Sequence, residues 1–155
     1  MVPTLICDEK ILVESSLILE FLEDKFPEKS ARSNIPEEIH QMRLWMKTID
    51  AYHIHGGSIT YGIGVRNILI LKPKDELDKE IDEIPDLEKR ENRRDLIENG
   101  LEAKCVIEGL KQSKILMDKL ELGLKDREWF SGSKFGLADA SIFPYVLRCC
   151  LLYTS

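Results

Sequence analysis

The chain has 155 residues, 43% of them apolar, which suits one ordinary domain or two small ones with a real core. Its net charge of −6, carried by charges of interleaved sign, argues against a nucleic-acid partner and describes solvated helix faces. No secretory leader or long apolar run is visible, so a cytoplasmic protein without a membrane partner is expected.

Val2-Pro3 sets an extended backbone before a strand, at the one kind of peptide bond where a cis form costs little. Thr4 to Cys7 and Ile11 to Val13 read as a hairpin around the polar Asp8-Glu9-Lys10. Glu14 and Ser15 then fall where the second strand gives way to a helix. A helix start offers unpaired N–H groups and partial positive charge, which suits a carboxylate, and Glu14 beside it suits an ammonium. A carboxylate and an ammonium held next to an exposed strand edge describe a γ-glutamyl peptide. A plainer reading stays open: Ser15 or Ser16 as an N-cap and Pro3 as a strand-start proline.

The first helix is expected from about Ser16 to Phe26, with Leu17, Ile18, Phe21, Leu22 and Phe26 on its apolar face and Pro27 ending it. Residues 29–35 read as a linker. Pro36 suits the first turn of a second helix whose buried face is Ile39, Met42, Trp45, Met46, Ile49 and His53. Gly56, Gly57, Gly62 and Gly64 follow, a stretch that either bends or admits a close neighbour, since each interior glycine costs a helix roughly 1 kcal/mol. A short acidic helix or loop is expected from Asp75 to Ile84, then one long helical run from Asp86 to Lys125. Val106, Leu110, Met117, Leu120 and Leu124 are its expected core, and Gly100 and Gly109 its possible close crossings. Trp129-Phe130-Ser131-Gly132 reads as a turn with an aromatic anchor. Gly136 as N-cap places Asp139 at N3, where its carboxylate reaches back to the cap N–H, with Phe135 stapled onto Ala140. Asp139 is read as structural.

Two strings carry a resemblance. VPTLICDEKILVESSLILEFLEDKFPE is similar to the second half of the glutathione-binding, thioredoxin-like domain of cytosolic glutathione transferases. WFSGSKFGLADASIFPYVLR resembles the buried core helix of that family's all-helical second domain, although the family usually has Ser or Thr where Gly136 stands. QMRLWMKTIDAYHIHGG with IPDLEKRENRRDLIENGLE resembles the bacterial-type branch that includes aryl-ether-cleaving and dehalogenating enzymes. The resemblance implies a mostly α fold: a partial thioredoxin-like ββα unit over 1–28, a linker over 29–35 and an all-helical domain over 36–155.

It also implies glutathione as co-substrate, bound by Val2, Pro3, Glu14 and Ser15, and a hydrophobic electrophile as second substrate, with Tyr52, Tyr61 and Arg66 as acceptor-pocket candidates. In the family the Ser, Tyr or Cys that activates the glutathione sulfur lies upstream of the proline, so no residue here takes that catalytic role. A fragment is therefore expected, truncated at both ends, with CCLLYTS departing from the family pattern. The intact protein is expected to be a homodimer.

No metal is expected. Cys7, Cys105, Cys149 and Cys150 lack metal spacing, and His53 and His55, two apart, do not share a helix face. The leading reading is a glutathione transferase that adds the thiolate to an electrophile. The alternative is a non-catalytic scaffold that keeps the fold and the Glu-Ser pair.

Overall fold

The computed structural model describes residues 2–153; Met1, Thr154 and Ser155, at the ends of the expected 1–28 and 36–155 segments and of the CCLLYTS run, lie outside them. The fold is mostly helical with one small sheet. Strands β1 (Thr4–Cys7) and β2 (Lys10–Val13) pair antiparallel with Thr4 opposite Val13 and Cys7 opposite Lys10. Asp8 and Glu9 close the hairpin with φ of 50° and 65°, the signs a type I′ turn requires. Cross-strand partners Ile6 and Ile11 are both 70% exposed, while Leu5 and Leu12 are half-buried on the other face.

The chain forms two compact units, Met1–Ala51 with Leu120–Ser155, and Tyr52–Lys119. This division follows packing and cuts through two long helices.

In the first unit, helix α1 (Ser15–Lys25) buries Ile18 and, less expectedly, Glu23. The expected apolar face is only partly buried: Leu17 is 64% exposed and Phe26 45%, with Phe21 and Leu22 half-buried. The inward stripe is centred on Ile18, Leu22 and Glu23, and Leu17 lies about 100° round the helix from Ile18. Glu23 faces inward because its carboxylate is fully used. It accepts the backbone N–H groups of Ala31 (3.0 Å) and Arg32 (3.1 Å) and the Ser30 hydroxyl (2.5 Å). The segment read as a linker is thus fixed to α1. Arg32 pairs with Glu20 and Asp24, and Arg43 donates two hydrogen bonds to Glu20.

Helix α2 (Pro36–Thr60) starts at Pro36 as expected. Met42, Trp45, Met46 and Ile49 are buried, but the stripe continues through Tyr52, Gly56 and Ile59, and His53 is exposed. Three- and four-residue steps from Ile49 allow either Tyr52 or His53, and the more apolar ring takes the inward place. The Phe130 ring meets Trp45 edge-on at 4.8 Å, anchoring the Trp129–Gly132 turn to α2.

In the second unit, α2 continues into a π-helical stretch, Tyr61–Val65, then α3 (Arg66–Leu69) and α4 (Lys74–Asp82). The expected single run from Asp86 to Lys125 is two helices, α5 (Leu87–Asn99) and α6 (Lys104–Gly123). Gly100 breaks it with φ 57°, a conformation open to glycine, and a short 3₁₀ turn follows. The Asp86 carboxylate caps α5 by accepting the Lys89 N–H at 3.0 Å. The buried stripe of α6 is Val106, Gly109, Leu116 and Leu120, with Ala103 buried just before it; Leu110 (52%) and, just after the helix, Leu124 (38%), expected in the core, face solvent. Gly109 sets the phase, because α2 crosses there so closely that a Cβ would lie 2.8 Å from the His55 carbonyl oxygen.

Candidate functional site

The first site candidate is the junction of β2 and α1. The Val2–Pro3 bond is cis and Val2 is 94% exposed. Glu14 precedes α1 with φ 69° and ψ 112°, an uncommon conformation for a residue with a Cβ. Its carbonyl accepts the Ile18 N–H at 2.9 Å, so it occupies the cap position, but its side chain makes no cap hydrogen bond. Ser15 and Ser16 are the first two helical residues. Neither is the N-cap, which removes the plainer reading of that pair. Glu14 and Ser15 are exposed, and their side chains have no hydrogen-bond partner among the described residues. The helix therefore starts with free N–H groups, an exposed hydroxyl and an exposed carboxylate at one place. That can take a carboxylate on the N–H groups and a cation on Glu14. Backbone strain of the kind Glu14 carries collects at functional sites.

On the hairpin, Cys7 is half-buried. The Lys25 ammonium lies 2.9 Å from its sulfur and 2.6 Å from the Asp8 carboxylate. Its hydrogen bond to Asp8, with a further one to Cys7, pushes the Lys25 pKa up.

The second candidate, Gly136 with Asp139, is a buried hub. Helix α7 (Leu137–Tyr153) begins just after Gly136. Asp139 accepts N–H groups from Phe130 (2.8 Å), Gly136 (3.1 Å) and Ser131 (3.2 Å), and the Ser131 hydroxyl accepts the Ala138 N–H at 3.0 Å. The glycine at the cap has a steric cause: a Cβ there would lie 2.5 Å from the Ala31 carbonyl oxygen and 2.7 Å from the Ser131 Cβ. Ser131, arriving from the preceding turn, supplies the hydroxyl that a cap Ser or Thr would otherwise bring. Phe135, expected to staple onto Ala140, meets the Trp129 ring edge-on at 5.5 Å.

The acceptor-pocket candidates separate. Tyr52 is buried with its hydroxyl 2.6 Å from that of Ser113, and Arg66 donates to the Leu96 and Ile97 carbonyls at the end of α5; both are held in packing. Tyr61 lines a cavity of about 520 Å³, formed within the second unit by α2, the π-helical stretch, α5 and α6, and neither Tyr52 nor Arg66 lines that cavity. The Arg93 guanidinium lies 3.8 Å from the Tyr61 ring centroid. Sequence reasoning passed over Arg93, Glu23 and Ser131. The charged pattern of α5 reads as solvent-facing, and a lone Glu or Ser gives no sign that it will be buried.

Among the described residues no cluster of three or more His, Cys, Asp or Glu side chains could hold a metal ion, and no helix is long and apolar enough to cross a membrane.

No protein-family model matches the chain. Protein LigF of Sphingobium sp. strain SYK-6 is 28% identical over 145 residues, which cover 92% of this chain and 56% of LigF. The crystal structure of β-etherase LigF superposes with a TM-score of 0.81 at 27% identity, over 94% of this chain and 61% of that one. The chain therefore spans a little over half the length of this relative. It is a homologue of the bacterial β-etherase LigF, and the resemblance to the glutathione transferase family read from its sequence stands.

Proposed function

We propose that the β2–α1 junction holds the γ-glutamyl end of glutathione and that the intact protein is a cytoplasmic, homodimeric glutathione transferase. One observation carries this reading. Glu14 and Ser15 stand exposed, with no side-chain partner among the described residues, at a helix start without a side-chain cap, an arrangement suited to a carboxylate and an ammonium. The γ-glutamyl carboxylate takes the Ser15 hydroxyl and N–H, Glu14 takes the ammonium, and Val2 offers its backbone to the cysteinyl part.

Bound glutathione supplies a thiolate that adds to a hydrophobic electrophile. With an aryl ether as acceptor, the C–S bond forms as the C–O bond breaks and an aryloxide leaves. None of Val2, Pro3, Glu14 and Ser15 activates the sulfur in this reading; their part is to bind and orient.

A panel of glutathione, γ-glutamylcysteine and cysteinylglycine, titrated by calorimetry, tests the reading. The two γ-glutamyl peptides should compete for one site and cysteinylglycine should fail to compete. Equal binding of all three would overturn it. Binding without conjugation of a chloronitrobenzene substrate by the intact protein would select the scaffold reading over the enzyme.

A further inference from the structure

We infer that the cavity of the second unit is a binding site for a small aromatic carboxylate, occupied without help from glutathione. Five observations converge on it. Its wall is apolar where a ring would lie: Leu96 is buried, and Ile54 and Ile84 face it. Its charged lining is basic, with Lys89 and Arg93, and no carboxylate lines it, in a chain whose net charge is −6.

Arg93 is held in place by the Tyr61 ring, 3.8 Å away, yet its guanidinium N–H groups have no acceptor among the described residues. Lys89 is less available, because Asp86 lies 3.8 Å from its ammonium. A planar guanidinium fixed by an aromatic face with its donors unused is suited to two-point recognition of a carboxylate.

The other two observations concern the backbone. Tyr61 opens the π-helical stretch, a local widening of α2 that is frequent at functional sites. Gly57 lines the cavity, and a Cβ built there meets nothing within 4 Å. Unlike Gly62 and Gly109, this glycine admits no neighbouring helix. What its missing side chain leaves is open floor. A volume of about 520 Å³ takes a one- or two-ring molecule. The ring packs on Ile54, Ile84 and Leu96, and the carboxylate meets Arg93, with Lys89 adding charge at the rim.

This inference goes beyond the glutathione reading and does not depend on it, since all of its residues lie in the second unit. The test is calorimetric titration of the chain with 2-naphthoate and with its neutral analogue 2-naphthamide, in the absence of glutathione. The expected result is a preference for naphthoate of about tenfold, the scale of one charge-assisted contact. Arg93→Gln should remove that preference while leaving naphthamide binding in place, and Arg93→Lys should restore part of it. Gly57→Leu fills the cavity floor from a helical position that favours leucine, so it should abolish binding of both compounds while the melting temperature holds or rises. This variant decides the matter even if Arg93→Gln folds poorly. No binding of naphthoate, equal binding of the two compounds, or undiminished binding by Gly57→Leu would each overturn the assignment.

Discussion

Helices α1 and α7 begin in opposite ways. At the start of α7 two buried side chains take four backbone donors: Ser131 takes the Ala138 N–H, and Asp139 takes three from the turn and the cap. At the start of α1 the cap residue's carboxylate makes no cap hydrogen bond, its φ is positive, and the first serine is exposed. A helix start that satisfies itself stabilises the fold. One left unsatisfied and strained is available to a ligand. The two ends should therefore respond oppositely to substitution, one in stability and the other in binding.

The largest effect is expected at the closed end. Asp139→Ala leaves three backbone N–H groups in a buried site without their acceptor, at a cost of about 3 kcal/mol or more in a denaturant melt. An unchanged melt would deny the hub. Gly136→Ser tests the same end sterically. Its side chain would otherwise be a good cap, but its Cβ would enter the space of the Ala31 carbonyl and of Ser131. A loss of about 1–3 kcal/mol is expected, where cap preference alone predicts a small gain.

Glu23→Ala comes next. It frees the Ala31 and Arg32 N–H groups together with the Ser30 hydroxyl, for a loss of about 2 kcal/mol and faster proteolysis between Ser30 and Arg32.

At the open end, Glu14→Ala and Ser15→Ala should each leave stability within about 0.5 kcal/mol of the parent. Glu14→Gly should stabilise by roughly 1 kcal/mol, because glycine accepts the positive φ. A clear loss of stability in Glu14→Ala would break the comparison, since it would mean that α1 depends on that side chain as α7 depends on Asp139.

The smallest effect concerns pH. The Arg43 hydrogen bond, opposed by burial and helped by Arg32, holds the Glu20 carboxyl below its ordinary value of 4.5. A depressed carboxyl stabilises the fold fully above its unfolded pKa and loses that contribution as pH falls through the lower folded value. Glu20→Gln should therefore reduce the acid sensitivity of the melting temperature below pH 4.5 and leave its slope near neutrality unchanged.

Much of this was legible in the chain. The hairpin, the start of α2 at Pro36 and the reach of Asp139 to its cap follow from local chemistry: a polar turn between apolar runs, a proline at a first turn, a carboxylate at N3. What was not legible depends on contacts distant in sequence. Tyr52 displaces His53 inward because its hydroxyl finds Ser113, and Leu110 turns outward because Gly109 is needed for the crossing with α2. Gly100 was read as a close crossing when its positive φ ends a helix. At the candidate site, Glu14 and Ser15 were singled out from their place between strand and helix. Arg93 was hidden in a charged run, because nothing in DLEKRENRRDLIE marks which arginine an aromatic ring from another helix will hold.

The central claim is that the open start of α1 is a γ-glutamyl site. Heteronuclear NMR of the chain, following backbone amides during titration with glutathione, tests it most directly, because weak binding is still visible there. The account predicts that the Ser15 and Ser16 amides move first and saturate together, that γ-glutamylcysteine reproduces the shifts, and that Ser15→Ala and Glu14→Ala each weaken them severalfold. Shifts centred elsewhere, or unchanged binding in both variants, would contradict it.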